Sequence, residues 1–332
     1  MASGLQIDRR GFVRRVALGA SSALALAGGA AGQAAPTPAA RKSKVVIARH
    51  PGLTIDGKVQ AEPMAQAIDR AVLELAGEKS VEQAWARYFM PEERVGIKVN
   101  GRGGVSLATS KPMLTVCVAR LKAIGVKPEN IIIWDSLPSD LASCGLNLGG
   151  EWGVKVLPAY TGWDAPVEQG AFRGALTKIV TQQVDAILNL PVLKDHVLCG
   201  VTLALKNHFG SINNPQVFHT NNCDPFVADL NCVPALRDKH RLVLCDAARS
   251  QPEGGPHYRP QYRWFPNFIM AATDPVAHDE VGRQLLEARR KELNLPPLPR
   301  VGRPPTYLQT AADRGLGTNQ PERIERVEVH VA

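Results

Sequence analysis

The sequence contains no C-x-x-C pair, no G-x-S-x-G turn and no H-E-x-x-H helix. The first absence argues against a cysteine-rich iron–sulfur module, because such modules draw closely spaced thiolates from one segment. The other two leave no signature of a hydrolase nucleophile elbow or of a zinc peptidase. No run of basic residues with interleaved aromatics occurs either, so no nucleic-acid partner is expected.

Aromatic residues are also scarce, at 5% of the chain. The remaining composition is ordinary for a globular protein, with 45% hydrophobic and 21% charged residues, and it excludes a fibrous or mostly disordered chain. The 332 residues suffice for one large α/β domain or two modest ones. The net charge is +8, and the mild excess that remains beyond the N-terminal arginines favours anionic ligands.

The N-terminus resembles a twin-arginine export signal. Residues Asp8–Arg14 read DRRGFVR, and the moderately apolar run Val16–Ala31 follows. Small residues precede a cleavage point after Ala34, as in secretory signals. We expect residues 1–34 to be the signal peptide and residues 35–43 a flexible linker. The alternative is a membrane anchor, but the apolar run is short and rich in Ala and Gly, so no stable anchor is expected.

This resemblance implies export of the folded protein to a periplasmic or otherwise extracytoplasmic location, with the twin-arginine translocase as a partner. Folding in the cytoplasm before export also raises the expectation of a bound metal or organic cofactor. It weakens a disulfide interpretation, although Cys223 and Cys232 remain candidates for pairing in the exported protein. Cys117 and Cys245 lie in apolar runs and are expected in the core.

Short apolar runs, several of them continuous rather than alternating, predict strands that are buried on both faces. The predicted strands are 44–49, 94–99, 130–134, 154–157, 184–190, 242–245, 268–272 and 327–331. Helical spacing of apolar residues recurs between them, at 64–76, 112–124, 224–236 and 276–293. This alternation predicts an α/β fold, with a mostly parallel sheet and helices on both faces in Rossmann-like layering, as a single domain over residues 44–332.

Ionisable or amide side chains follow five of these apolar runs. They are Lys98 and Asn100, then Asp135, the segment Lys194–His196, Asp246 and Asp274. Because ligands bind beyond the carboxyl ends of parallel strands, we expect a site that combines basic, acidic and imidazole groups at this rim. The simpler interpretation is that strands merely end where polar loops begin.

Four segments resemble the signature blocks of the family known as domain of unknown function 362. They read IKVN (97–100), LPVLKDH (190–196), GVTLALKNHFG (200–210) and TDPVAHD (273–279). The resemblance covers most of the chain after the linker, and the Lys-x-His block followed by the Lys-Asn-x-Phe-Gly block is fairly specific. Many relatives add a ferredoxin-like iron–sulfur module whose cysteines this chain lacks, so no redox role is carried over from them. The family has no established general activity.

Each block also has its own physical interpretation. Lys194 and His196 follow a strand end broken by proline, so both can face a cavity. Lys206 lies near a helix end, where it either interacts with the helix dipole or, if buried, needs an anionic partner or has a lowered pKa suited to base or Schiff-base chemistry. Asp274 precedes a proline and fits a helix N-cap, which alone would explain it, and Asp279 lies about one turn further on.

Two weaker patterns leave alternatives open. The stretch Gly101–Gly104 follows a strand and precedes a helix, so its amides could hold a phosphate or carboxylate. It matches no nucleotide-binding fingerprint, and a plain turn is the simpler interpretation. His219 and Cys223 have a spacing that would suit structural zinc on a helix, yet the intervening asparagines favour a loop.

These residues together predict an enzyme that acts on a small anionic substrate or cofactor through a Lys/His/Asp cluster. The expected catalytic residues are His196, Lys206, Lys194 and Asp274. The expected substrate-binding residues are Lys98, Asn100, Asn207, Asp246 and Asp279. The alternative is a non-catalytic binding or carrier protein that uses the same cavity for an anion, metal or cofactor. A purely structural protein would leave the lysine and histidine blocks unexplained.

Overall fold

Short aliphatic runs rich in β-branched residues form the strands, because such side chains pack well on a pleated surface. The computed structural model describes residues 42–332. In chain order the strands are β1 (Ser43–Arg49), β2 (Thr54–Ile55), β3 (Lys58–Val59), β4 (Val95–Lys98), β5 (Ile131–Asp135), β6 (Lys155–Pro158), β7 (Val167–Gln169), β8 (Phe172–Gly174), β9 (Ala186–Asn189), β10 (Val192–His196), β11 (Gly200–Thr202), β12 (His240–Gln251), β13 (Phe268–Ala272) and β14 (Ile324–His330).

The helices begin at recognisable capping residues in two clear cases. Ser80 accepts a hydrogen bond from the backbone N–H of Gln83 at the start of α2, and Asp274 caps α8 in the same manner. In chain order the helices are α1 (Ala61–Ala76), α2 (Val81–Ala86), α3 (Lys111–Ala123), α4 (Pro138–Ser143), α5 (Ala204–Asn207), α6 (Phe226–Cys232), α7 (Pro234–Arg237), α8 (Pro275–Glu292) and α9 (Tyr307–Asp313).

Most neighbouring strands of the central sheet run parallel. The sheet order is β14-β1-β13-β12-β9-β4-β5-β6, and the hairpin of β10 and β11 joins it through β12. Within this order β13 is the exception, since it pairs antiparallel with both β1 and β12. The predicted sheet is therefore confirmed as mostly parallel, but the carboxyl end of β13 lies at the opposite edge from those of its neighbours.

Each face of the sheet covers a hydrophobic core, because successive side chains of a strand point to opposite faces. In β1, Val45 and Ile47 pack into the core that includes residues of α6 and α8. Val46 and Ala48 pack into the core that includes residues of α1 and α3. The helices thus cover both faces of the sheet, which confirms the predicted layering.

Every predicted strand is present, most with shifted boundaries, and three hairpins were not predicted, β2–β3, β7–β8 and β10–β11. The run 242–245 is only the inner part of β12, which continues through polar residues to Gln251. Pro191 interrupts the apolar run before it, but the chain then returns to extended backbone as β10 and pairs with β11 instead of entering a loop. Lys194 and His196 therefore lie on a strand, two residues apart and on one face.

The predicted helix 224–236 is divided into α6 and α7. Pro234 has no backbone N–H and disfavours helical backbone at the residue before it, and Val233 accordingly has an extended ψ of 124°. Pro234 therefore divides this segment into two helices, although the helical spacing of its apolar residues is continuous.

The predicted signal peptide, residues 1–34, and most of the predicted linker lie outside the described residues. The described residues belong to one compact unit. Among them, no helix is long and apolar enough to cross a membrane.

Candidate functional site

The carboxyl ends of β4, β5 and β9 lie side by side because these strands are parallel neighbours. Lys98 ends β4, Asp135 ends β5 and Asn189 ends β9. The short helix α5 reaches the same edge with Lys206 and Asn207, and the Asn207 amide donates to Asn189 Oδ1 over 2.7 Å. At these strands, the structure forms the rim that the sequence predicts.

Lys98 is enclosed by protein oxygens. Its amine donates to Asp135 Oδ1 at 2.7 Å, to the Val99 carbonyl at 2.6 Å and to Asn207 Oδ1 at 3.3 Å. The second oxygen of Asp135 accepts from the Gly101 N–H at 2.7 Å. Because the ion pair is buried, removing one partner would leave an uncompensated charge and cost about 3–5 kcal/mol of stability. Lys98 therefore supports the rim and has no amine hydrogen left for a ligand.

Lys194 lies behind the rim, in a fully buried position. Its amine donates to Asn100 Oδ1 at 2.7 Å, to the Leu107 carbonyl at 3.3 Å and to the Arg102 carbonyl. Burial lowers the pKa of Lys194 to about 7. The Asn100 amide in turn donates to Asn207 Oδ1 at 3.0 Å, so Lys194 positions the polar wall rather than facing a ligand.

A cavity of about 270 Å³ opens at this rim. Its lining includes Asn100, His196, Lys206 and Asn207 from the predicted set, together with Arg102, Asp135, Asp140, Thr202, His219 and His257. The structure therefore brings the lysine and histidine blocks to one cavity that is large enough for a small molecule.

Lys206 differs from the other buried lysines in its partner. Its amine lies 3.1 Å from His219 Nε2 and 3.7 Å from the centre of the Phe209 ring. His219 Nδ1 donates to the Pro215 carbonyl at 2.9 Å, so Nε2 is the lone-pair nitrogen that accepts from Lys206. Burial lowers the pKa of Lys206, and burial with the neighbouring Lys206 charge lowers the pKa of His219 to about 4.

His196 presents a neutral imidazole to the cavity. The Leu198 backbone N–H donates to His196 Nδ1 at 3.1 Å, which places the ring proton on Nε2. The ring stacks on His219 with 5.4 Å between centroids. Burial, followed by the charge of Lys206, holds the pKa of His196 well below its usual range. His196 Nε2–H is therefore a donor for a molecule in the cavity at neutral pH.

The opposite wall of the cavity carries an acid, a guanidinium and an unpaired hydroxyl. The Arg102 guanidinium lies 3.7 Å from Asp140, whose carboxylate also accepts from the Leu137 N–H at 3.2 Å. Burial, together with the charge of Asp135, raises the pKa of Asp140. Thr202 is 5% exposed, and its hydroxyl has no hydrogen-bond partner among the described residues.

Asp274 lies outside this site, which corrects its predicted catalytic assignment. Its carboxylate accepts from the backbone N–H groups of Val276, Ala277 and Thr318 and from the Ser43 hydroxyl. The prediction that Asp274 is a helix cap is therefore confirmed. Its place in the site is wrong because β13 runs antiparallel to its neighbours and ends at the other edge of the sheet.

Asp246 and Asp279 also do not line the cavity, contrary to their predicted substrate-binding assignment. Asp246 accepts from the Ser110 N–H at 2.8 Å, at the start of α3. Asp279 accepts from the N–H groups of Ala204 and Leu205 at 2.8 and 2.9 Å, at the start of α5. Both carboxylates accept hydrogen bonds from backbone N–H groups. Asp279 thereby positions α5, the helix that carries Lys206.

The glycine-rich stretch forms a plain turn. The Gly101 N–H donates to Asp135, and the Gly104 N–H donates to the Gly101 carbonyl at 3.2 Å. Gly103 and Gly104 have φ values of 132° and 74°, which other residues rarely adopt. Since its amides are bound inside the protein, this turn serves mainly to place the Arg102 side chain at the cavity.

Among the described residues, no group of three or more His, Cys, Asp or Glu side chains is arranged to hold a metal ion. Both ring nitrogens of His219 are engaged by Pro215 and Lys206, which leaves no lone pair for zinc. All six cysteines of the chain are free and buried, and Cys223 shares a hydrogen bond with Cys199. The zinc pattern of His219 and Cys223 is therefore not a metal site in this structure.

Five of the polar cavity residues have no assigned role in the sequence-based site: Arg102, His257, His219, Asp140 and Thr202. His219 shows only a weak zinc spacing, and nothing local reveals that its loop folds back onto Lys206. Asp140 follows a rim strand and a proline, which is a feature of many helix starts. Thr202 lies inside the GVTLALKNHFG block, and its position opposite Lys194 depends on the β10–β11 hairpin. Of these residues, only Thr202 lies in one of the four segments that resemble the signature blocks of the family.

Comparisons with known proteins place this cavity in a family context. The family described as domain of unknown function (DUF362) matches residues 96–284, which is more than half of the chain. A comparison with curated proteins finds no match. Among solved structures, the chain is similar to the crystal structure of a protein from Thermotoga maritima, with 12% identity, a TM-score of 0.43, and coverage of 69% of this chain and 59% of that chain. The chain thus spans less than two thirds of that protein, and by the family match it belongs to the domain of unknown function 362 family.

Proposed function

We propose that the cavity binds a small anionic molecule and that His196 and Lys206 carry out acid–base chemistry on it. The observation that supports this proposal is the charge balance of the cavity wall. Four basic side chains lie in or directly behind the wall, against two carboxyl groups: Lys98, Lys194, Lys206 and Arg102 against Asp135 and Asp140. A basic excess in a cavity with restricted access to water attracts anions.

The basic residues contribute in different ways. Lys98 and Lys194 are committed to protein oxygens, so they act on a ligand only through their charge, and Lys194 carries that charge only below about pH 7. The Arg102 side chain is 47% exposed and only loosely paired with Asp140, so it is free to turn toward a carboxylate or phosphate. A guanidinium suits such groups because it can donate two parallel hydrogen bonds. Arg102 is therefore the direct anion contact.

His196 and Lys206 supply the acid–base groups. His196 donates from Nε2–H, and Lys206 in its neutral form accepts a proton or attacks an electrophile. Burial lowers the pKa of both groups, which brings the lysine closer to the pH range where acid–base catalysis is efficient.

Titration calorimetry with oxalate and with phosphate tests the binding proposal. We expect Arg102→Met to weaken the affinity at least about tenfold, since a hydrogen bond to a charged group contributes about 1.5–3 kcal/mol. Arg173→Met is the matched control, because Arg173 forms only an exposed ion pair on the surface. Equal affinities in the two variants, or no binding of either anion to the native protein, would contradict the proposal.

The catalytic part of the proposal is tested with His196→Asn. An anionic compound that the native protein converts should still bind to this variant but be converted at least about a hundredfold more slowly, as for loss of a hydrogen-bond donor that stabilises developing negative charge. Unchanged conversion would remove His196 from the mechanism. Stoichiometric binding without conversion by the native protein would support the carrier alternative.

We also propose that residues 1–34 direct export through the twin-arginine translocase to the periplasm or another extracytoplasmic space. The paired arginines and the weakly apolar run support this proposal. Replacing Arg9 and Arg10 by Lys should keep the charge and abolish export, so the protein accumulates in the cytoplasm on cell fractionation. Arg14→Lys and Arg15→Lys serve as charge-matched controls. Export of the Arg9, Arg10 variant at the native level would overturn the proposal.

A further inference from the structure

The buried lysines of this site differ in what accepts their hydrogens. Lys98 pairs with a carboxylate, and Lys194 donates to an amide oxygen and two carbonyl oxygens. Lys206 makes its one hydrogen bond within the described residues to an imidazole nitrogen, and its amine lies over an aromatic ring. Of the three, only Lys206 lines the cavity. Among the described residues, Lys206 therefore has no carboxylate partner, and its side chain lines the cavity.

The contact with His219 also orients the amine. Since His219 Nδ1–H is held by the Pro215 carbonyl, Nε2 continues to accept one Lys206 N–H after the amine has lost its extra proton. The lone pair of the neutral amine is then free and cannot point at His219. Phe209 blocks a second direction, 3.7 Å from the amine. The remaining open direction is the cavity.

Other groups of the cavity suit a carbonyl compound that carries an acid. His196 Nε2–H can donate a hydrogen bond to a carbonyl oxygen and stabilise the negative charge that develops there on attack. Arg102 lies at the edge of the cavity, where its guanidinium can bind the carboxylate of such a compound.

We propose that Lys206 Nζ is a nucleophile that forms a Schiff base with the carbonyl carbon of an α-oxo acid or a similar small oxo acid. This proposal rests on the anion-binding function proposed above and names the substrate class of the same site. The ammonium group first releases one proton to water in the cavity, and the neutral amine then attacks the carbonyl carbon. The former carbonyl oxygen, hydrogen-bonded to His196 Nε2–H, takes a proton from the nitrogen, which gives a neutral carbinolamine. The proton released at the start then protonates the hydroxyl group, which leaves as water and gives a protonated imine. In sum, one ammonium group and one carbonyl group give one iminium group and one water molecule.

Reductive trapping tests this proposal on the full mature protein. The protein is incubated at pH 7 with glyoxylate and cyanoborohydride, and the modified lysines are located by peptide mass spectrometry. We expect one carboxymethyl group on Lys206, formed faster than on exposed lysines such as Lys58, because burial lowers the pKa of Lys206 and so raises the fraction of neutral amine. Oxalate, which has no reactive carbonyl, should protect Lys206.

Lys206→Arg keeps the charge but removes the nucleophile, and it should lose the fast adduct. The mapping on the native protein does not depend on whether this variant folds. Adducts confined to exposed lysines or to Lys194, or a fast adduct that persists in Lys206→Arg, would overturn the proposal. If oxalate binds through Arg102 and Lys206 is not trapped, the Schiff base is refuted and anion binding stands. If Lys206 traps acetaldehyde as fast as glyoxylate and oxalate does not protect it, the oxo acid is refuted together with the anion-binding function.

Discussion

At the scale of single residues, the partner of each buried lysine determines its chemistry. Lys98 has the charge of Asp135 beside it, which stabilises the ammonium form. Lys194 has only neutral oxygens within hydrogen-bond distance, and burial lowers its pKa to about 7. Lys206 has an imidazole and a ring face. Three side chains of one type thus provide an ion pair, a structural donor and a candidate nucleophile within one site.

The lowered pKa of Lys194 predicts a dependence of stability on pH. Between about pH 7 and about pH 10 the folded lysine is neutral, whereas the unfolded lysine remains protonated, so unfolding takes up a proton. The free energy of unfolding should therefore rise with pH in this window, by at most about 1.4 kcal/mol per pH unit, and show no such slope below pH 7.

Urea unfolding of the native protein and of Lys194→Met at a series of pH values measures this effect. The difference between their free energies of unfolding should increase in favour of the native protein as the pH rises through the window. Lys58→Met, which changes an exposed lysine, should show no such trend. A constant difference for Lys194→Met would mean that the folded lysine keeps its proton.

At the scale of elements, α5 is a single turn whose position depends on its neighbours. A helix of this length is not stable by itself in water. Asp279 of α8 accepts from its first N–H groups, and Asn231 of α6 donates to the Leu205 carbonyl at 3.0 Å. Since α5 carries Lys206 and Asn207, the geometry of the site depends on helices that do not contribute to the cavity.

Asp279→Asn should destabilise the protein and disturb the site. The amide has one acceptor oxygen, so it leaves one buried N–H at the start of α5 without a partner, at a cost of about 1–3 kcal/mol. Chemical unfolding should report this loss, and hydrogen exchange should show faster exchange at Leu205. Asp313→Asn is the control, because that carboxylate is exposed and accepts only from Gln309. Native exchange rates in Asp279→Asn would mean that α5 is held by packing alone.

At the scale of the whole molecule, the cysteines are distributed through the core. Cys117, Cys144 and Cys245 lie with the sheet and its helices, and all six thiols of the chain are buried. Burial raises the pKa of Cys117 well above its usual range, so this thiol is unreactive as long as the protein is folded. Such a chain does not need an oxidising compartment to fold, which agrees with the proposed export of the folded protein.

Thiol labelling measures this property. In native buffer, we expect N-ethylmaleimide to modify the thiols at least about a hundredfold more slowly than in denaturant, because labelling requires the fold to open. In denaturant, all six should react. Protein isolated from the extracytoplasmic fraction should give the same count, and two fewer reactive thiols there would indicate a disulfide such as Cys223 with Cys232.

The strands and most helices were predictable because their determinants are local. Continuous apolar runs indicate strands that are buried on both faces, and the Asp274-Pro275 pair indicates the start of a helix. The direction of β13 was not predictable, since an apolar run has no direction in its pattern. That single reversal moved Asp274 from the expected site to the other edge of the sheet.

By itself, the sequence determined the α/β layering, the strand-end rim that holds Lys98 and Asp135, and the two blocks that supply His196 and Lys206. Only the tertiary structure decided that the Lys206 amine donates to His219 and not to a carboxylate. It also decided that Asp246 and Asp279 accept hydrogen bonds from backbone N–H groups and do not bind a ligand. The physical reason is distance along the chain. Burial and capping depend on neighbouring residues, whereas the partner of a buried charge depends on which remote loop packs against it.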